Sequence, residues 1–139
     1  MKKVYPVILT PLDDGWYTVY VPDLDVNTQG ADMADAIYMA RDLIGMCGID
    51  MLDKGKALPE ATNISAIKLK AETDDIITLI DVDFDEYRRQ NDLRMVKKNC
   101  TVPAWLSHEA EKQGLNFSAL LQTALKKELN VKSPADIVK

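Results

Sequence analysis

The hydrophobic period of this chain changes at Asp32, and that change limits the folds open to it. Before it, Trp16, Thr18 and Tyr20 alternate with Tyr17, Val19 and Val21, a period of two that places successive side chains on opposite faces of a strand. After it, Met33, Ile37, Ala40, Ile44, Cys47 and Met51 recur at three or four residues, the spacing of one helix face. Sheet first and long helix second predicts an α+β layer with the helix covering one face of the sheet.

The elements follow from local chemistry. Residues 3–12, "KVYPVILTPL", read as a β-branched strand, and Asp14-Gly15 supplies the turn of a hairpin into residues 16–21. Pro6 and Pro11 cannot donate to a ladder, which predicts an edge position for this first strand. Residues 22–30 read as a loop. Asp32 is placed to cap the helix and Lys54-Gly55-Lys56 to stop it, giving a length of roughly 33 Å at 1.5 Å per residue. Gly45 and Gly48 weaken that helix internally and imply close packing on the sheet. A connection follows, with a short strand at 64–69; residues 76–84, "IITLIDVDF", read as an apolar strand, and "DEYRRQND" as a polar helix. The expected order over residues 1–90 is β-β-α-β-α.

Charge divides the chain in two. Residues 1–92 carry 9 Lys and Arg against 18 Asp and Glu, whereas residues 93–139 carry 8 against 4. An acidic body with a basic appendage predicts two different partners, the appendage facing a polyanion. The sign turns over near 89–94, where the domain boundary is placed. Cys47 and Cys100 have no CxxC spacing, so neither a zinc site nor a disulfide framework is indicated. The apolar run after Met1 is broken by prolines and too short for a signal peptide or a membrane span, which predicts a cytoplasmic protein.

The appendage reads as strand 95–102, helix 104–113, a Gly-Leu-Asn turn and helix 117–129, with residues 132–139 as a flexible tail. Pro103 opens the first helix, Gly114 ends it and Asn116 is placed to cap the second. About 35 residues with one strand are too few for a self-sufficient core. A second copy supplies what is missing if two strands pair: Cys100 and Val102 are then covered, while Lys97, Asn99 and Thr101 face outward as a polar ribbon. Such a ribbon fits the DNA major groove, where Lys donates to guanine, Asn bonds adenine and Thr meets base edges or a thymine methyl. Asn116 and Ser118, at the start of the second helix, are placed for a backbone phosphate.

Two resemblances join these readings. "VKKNCTVPAWL" and "KQGLNFSALLQTALKKEL", residues 96–106 and 112–129, resemble a ribbon-helix-helix DNA-binding domain, here residues 94–131; Lys98 departs from that pattern by standing at an inward, usually apolar position. Residues 4–87 resemble HicB antitoxins, with a reduced RNase H-like fold, through "GWYTVYVPDL", "TQGADMADAIYMARDLI" and "TLIDVDFDEYRR". Asp25-Val26-Asn27 departs from the Pro-Gly-Cys often found there. The resemblance implies an antitoxin of a type II system, binding and inhibiting a HicA-type RNA-cleaving toxin. It also implies repression of its own operon through operator DNA, as a homodimer or higher oligomer. Asp23, Leu24 and Asp25, two carboxylates around an apolar anchor, are the candidate toxin-facing residues.

Other readings are kept beside this one. Asp81 and Asp83 share a strand face and, with Asp13 or Asp14, define a metal-dependent ribonuclease as the alternative; a solvated strand edge is the simpler account. A stand-alone ribbon-helix-helix repressor is another alternative. His108, beside Glu109 and Glu111, lacks a nucleophile or base and reads as a surface residue. Trp16, Tyr17 and Tyr20 read as core and interface, because acidic surroundings repel RNA phosphate. No catalytic residue, metal or cofactor is assigned.

Overall fold

The computed structural model describes residues 1–137; the last two positions of the expected flexible tail, 138 and 139, lie outside them. The chain divides into two compact units, Met1–Arg89 and Gln90–Lys139. The first holds strands β1 (Lys2–Pro11), β2 (Tyr17–Val21), β3 (Val26–Gly30) and β4 (Ile76–Asp83), with helices α1 (Met33–Asp53), α2 (Ile64–Lys68) and α3, which starts at Phe84 and runs to Asn91. The second holds α4 (Ala104–Lys112), α5 (Phe117–Leu129) and a 3-10 turn over Pro134–Ile137.

The four strands form one antiparallel sheet in the order β3-β2-β1-β4. The β1–β2 hairpin turns at Asp14-Gly15, with Gly15 at φ 87° and its N–H donating to the Leu12 carbonyl at 3.1 Å. Alternation then sorts the side chains. Tyr5, Val7 and Leu9 of β1, Val19 and Val21 of β2, and Ile80 and Val82 of β4 turn to one face and are buried there with Ala36, Ala40 and Ile44 of α1. Burying side chains of this size stabilises by about 1.5–3 kcal/mol each for Val, Leu and Ile. The other face is covered in part by α2, whose Ile67 is buried.

The expected β-β-α-β-α order is corrected in three places. Residues 26–30 form β3 rather than loop, because Asp25 adopts φ 52° and closes a tight turn in which the Leu24 N–H donates to the Val21 carbonyl at 3.2 Å. Residues 64–68 are helical rather than a strand: the Asn63 side chain accepts from the Ser65 N–H at 2.9 Å and starts a turn that buries only Ile67. Strand β1 is central, not an edge. Its ladder with β2 spans only Ile8 to Pro11, so Pro6 has β4 alone as neighbour, and Pro11 ends the strand.

Asp32 caps α1 by accepting from the Asp35 N–H at 2.7 Å, and the Asp35 carboxylate reciprocates on the Ala31 N–H at 2.8 Å. Gly45 and Gly48 do mark close packing, but the neighbour is α3 rather than the sheet. A Cβ at Gly48 would lie 2.2 Å from the nearest Phe84 ring carbon, and one at Gly45 2.4 Å from the nearest Tyr87 ring carbon, both far inside van der Waals contact.

Candidate functional site

The second unit is built of two short helices around a turn. Pro103 precedes α4, and its carbonyl accepts from Leu106 and Ser107 N–H groups at 3.1 and 3.0 Å. Gly114, at φ 67°, ends the helix. Asn116 caps α5 by accepting from the Ala119 N–H at 3.0 Å, which leaves its carboxamide engaged with its own helix; Ser118 beside it is exposed. Asn130, at φ 54°, closes the other end, where the Val131 N–H donates to Lys126 at 2.9 Å. Part of the expected flexible tail is ordered locally, since the Asp136 carboxylate accepts from the N–H groups of Lys132 and Ser133.

What this unit lacks is an interior. No described residue from 91 to 134 is buried, and Trp105 is 69% exposed. Phe117, Leu120, Leu121 and Leu125 follow each other at three, one and four residues along α5, and all four are exposed. An apolar stripe of that spacing is the pattern of a helix that packs on something. None of the described residues buries it.

The expected strand at 95–102 is absent from the single chain: residues 92–103 carry no regular structure. The physical reason is that a strand exists only through a ladder, and no described residue of the unit supplies a second strand. Lys97, Asn99 and Thr101 are therefore exposed but not aligned on one face by a sheet, and Lys98, Cys100 and Val102 are exposed with them.

In the first unit, the candidate toxin-facing loop is engaged internally. The Asp23 carboxylate accepts from the Thr62 N–H at 3.1 Å and from its hydroxyl at 2.5 Å, tying the connection after α1 to the β2–β3 turn. Leu24 packs against the core, and Asp25 accepts from the Tyr20 hydroxyl at 2.9 Å, which pushes the Tyr20 phenol up.

The carboxylates weighed for metal chemistry are held apart. Lys2 pairs with Asp83 at one end of β1 and Pro11 with Tyr17 at the other, so Asp13 and Asp14 lie about 30 Å from Asp83 at 3.3 Å per residue. Asp81 pairs with Arg41 at 3.1 Å, a bond that holds its carboxyl below the usual range; Asp83 accepts from the Asp85 and Glu86 N–H groups and caps α3. Among the described residues, no group of three or more His, Cys, Asp or Glu is arranged to hold a metal ion. His108 is exposed on α4.

One surface passed over by sequence reasoning is the solvent side of α1. Tyr38 is 58% and Met46 53% exposed, at positions where the helical period asks for polar residues. That mismatch was the available signal.

The model of the family described as HicB_like antitoxin of bacterial toxin-antitoxin system matches residues 5–124, across both units. The structure is similar to a chain of the "Toxin-Antitoxin complex from Streptococcus pneumoniae", with 25% identity and a TM-score of 0.58, covering 92% of this chain and 99% of that one. It is also similar in fold to antitoxin HicB of Burkholderia pseudomallei, at 22% identity and a TM-score of 0.53, covering 91% and 96%. No curated protein matches the sequence.

Proposed function

Because this chain belongs to the HicB-like antitoxin family of bacterial toxin-antitoxin systems, we propose that it neutralises a HicA-type RNA-cleaving toxin and represses its own operon. The first unit binds the toxin. The second, as a ribbon-helix-helix dimer, binds operator DNA through Lys97, Asn99 and Thr101, with Ser118 at the start of α5 for a phosphate.

The observation that carries the reading is the extent of the family match, which runs through the acidic first unit and on through α4 into α5. The charge split supports a division of labour. An acidic body steers toward a cationic protein and away from nucleic acid, whereas the basic appendage does the reverse. The exposed stripe on α5 supports association of two copies, because an apolar helix face without cover is costly in water. Pairing of two 95–102 segments gives each the ladder it lacks and aligns Lys97, Asn99 and Thr101 on one side, since alternate residues of a strand share a face. Inhibition then needs no chemistry from this chain, only occlusion of the toxin's RNA-binding surface.

The test is co-expression with the product of the adjacent gene, followed by size-exclusion chromatography and an RNA cleavage assay. The two proteins are expected to elute together and the toxin to stop cleaving RNA once this chain is equimolar with it. Separate elution with undiminished cleavage would overturn the proposal.

A further inference from the structure

On the solvent side of α1, Asp35, Tyr38, Asp42, Met46 and Asp50 succeed each other at three or four residues and so form one stripe along the helix. Tyr38 and Met46 are more than half exposed. Asp42, between them, is held in place: its carboxylate accepts from the Tyr87 hydroxyl at 3.1 Å, and Tyr87 is itself seated over Gly45. At the far end Asp50 is paired with Lys54 at 2.7 Å. The stripe thus sets two large, adaptable side chains among fixed carboxylates.

We propose that this stripe is the surface through which the first unit receives its protein partner, a cationic protein whose Arg or Lys side chains meet Asp35 and Asp42 while Tyr38 and Met46 fill apolar ground between them. The inference rests on the antitoxin reading above and identifies the toxin-facing surface within it. Tyr and Met are residue types enriched where interfaces are fully buried, and carboxylates suit the rim. Asp42 and Tyr87 are ordered before binding, so little freedom is lost when a cation meets them. The exposed apolar pair on the opposite face of the sheet, Val4 and Leu79, lies near Glu60, Asp81 and Asp83, but these carboxylates already face cations, Lys3, Arg41 and the N-terminal ammonium; Asp35 and Asp42 on α1 accept instead from neutral donors, the Ala31 N–H and the Tyr87 hydroxyl. At the β2–β3 turn the apolar residue between the carboxylates, Leu24, is packed against the core, whereas Tyr38 and Met46 on α1 are exposed.

The experiment uses full-length protein and the purified toxin from the adjacent gene, with binding followed by calorimetry and association rate by surface plasmon resonance. Tyr38→Ala and Met46→Ala are each expected to weaken toxin binding at least tenfold. Asp35→Lys is expected to slow association and to flatten its dependence on salt. Circular dichroism spectra and urea midpoints of all three should match the wild type, which shows that the first unit folds, and operator binding through the second unit should be unchanged. Asp74→Lys, an equal charge change before β4, is the control and should alter toxin binding less than threefold. Wild-type affinity in both alanine variants, with operator binding intact, overturns the α1 site while the antitoxin reading stands. Failure of the wild-type chain to bind the toxin at all overturns both.

Discussion

The Tyr87 hydroxyl donates to the Asp42 carboxylate at 3.1 Å, joining α3 to α1 across 45 residues of sequence. The bond has a consequence in alkali. Burial first, and the Asp42 carboxylate second, push the Tyr87 phenol from its ordinary 10.0 up to about 12. A pKa raised on folding gives a stabilisation that is complete below the unfolded value and is lost as pH rises through the folded one.

Tyr87→Phe is therefore expected to be less stable than the wild type at pH 7, by about 0.5–1.5 kcal/mol for one lost hydrogen bond. Between pH 10 and about 12 that deficit should shrink, because only the wild type loses stability through this group. Urea midpoints of both proteins from pH 8 to 12 check the sign; parallel loss in the two would contradict it.

Gly48→Ala tests the contact between α1 and Phe84. At an exposed helical position the change would stabilise by about 1 kcal/mol, since glycine is the poorer helix former. Here the added Cβ would lie 2.2 Å from a Phe84 ring carbon, so the ring must shift. The expected result is destabilisation by about 1–3 kcal/mol, the range for overpacked cores. A raised urea midpoint would show that the ring gives way freely.

The first unit was legible where a side chain's burial and its local propensity agree. The Asp14-Gly15 hairpin, the Asp32 cap and the apolar run of β4 are of this kind. Strand β3 was not, because its sequence, Val26-Asn27-Thr28-Gln29-Gly30, is polar and follows three residues typical of turns, Pro22, Asp23 and Asp25; its pairing with β2 is set by Asp25 in a left-handed conformation that no Gly announces. The central place of β1 was hidden by Pro6, whose missing N–H costs no ladder bond on a side where no strand runs past it, and β2 pairs with β1 only from Ile8 onward. The second unit's helices were readable from Gly114 and Asn116. The strand expected at 95–102 has no partner strand in one chain, and residues 92–103 carry no regular structure there.

Lys97→Ala and Asn99→Ala are each expected to weaken operator binding by about 1–3 kcal/mol, the worth of a specific base contact. Toxin binding should be untouched. A gel shift at fixed salt with both variants binding as tightly as the wild type would remove these residues from the DNA interface.

The central physical claim is that a second copy completes the unit that a single chain leaves without a core, by pairing residues 95–102 of two chains and covering the α5 stripe. Amide hydrogen exchange across 95–102, read together with sedimentation equilibrium on the full-length protein, tests it most directly. The account predicts a dimer or larger assembly at micromolar concentration, with alternate amides of 95–102 protected. It also predicts that Leu121→Asp abolishes both the protection and the association through this unit. A monomer whose 95–102 amides exchange as fast as an unstructured peptide would contradict it.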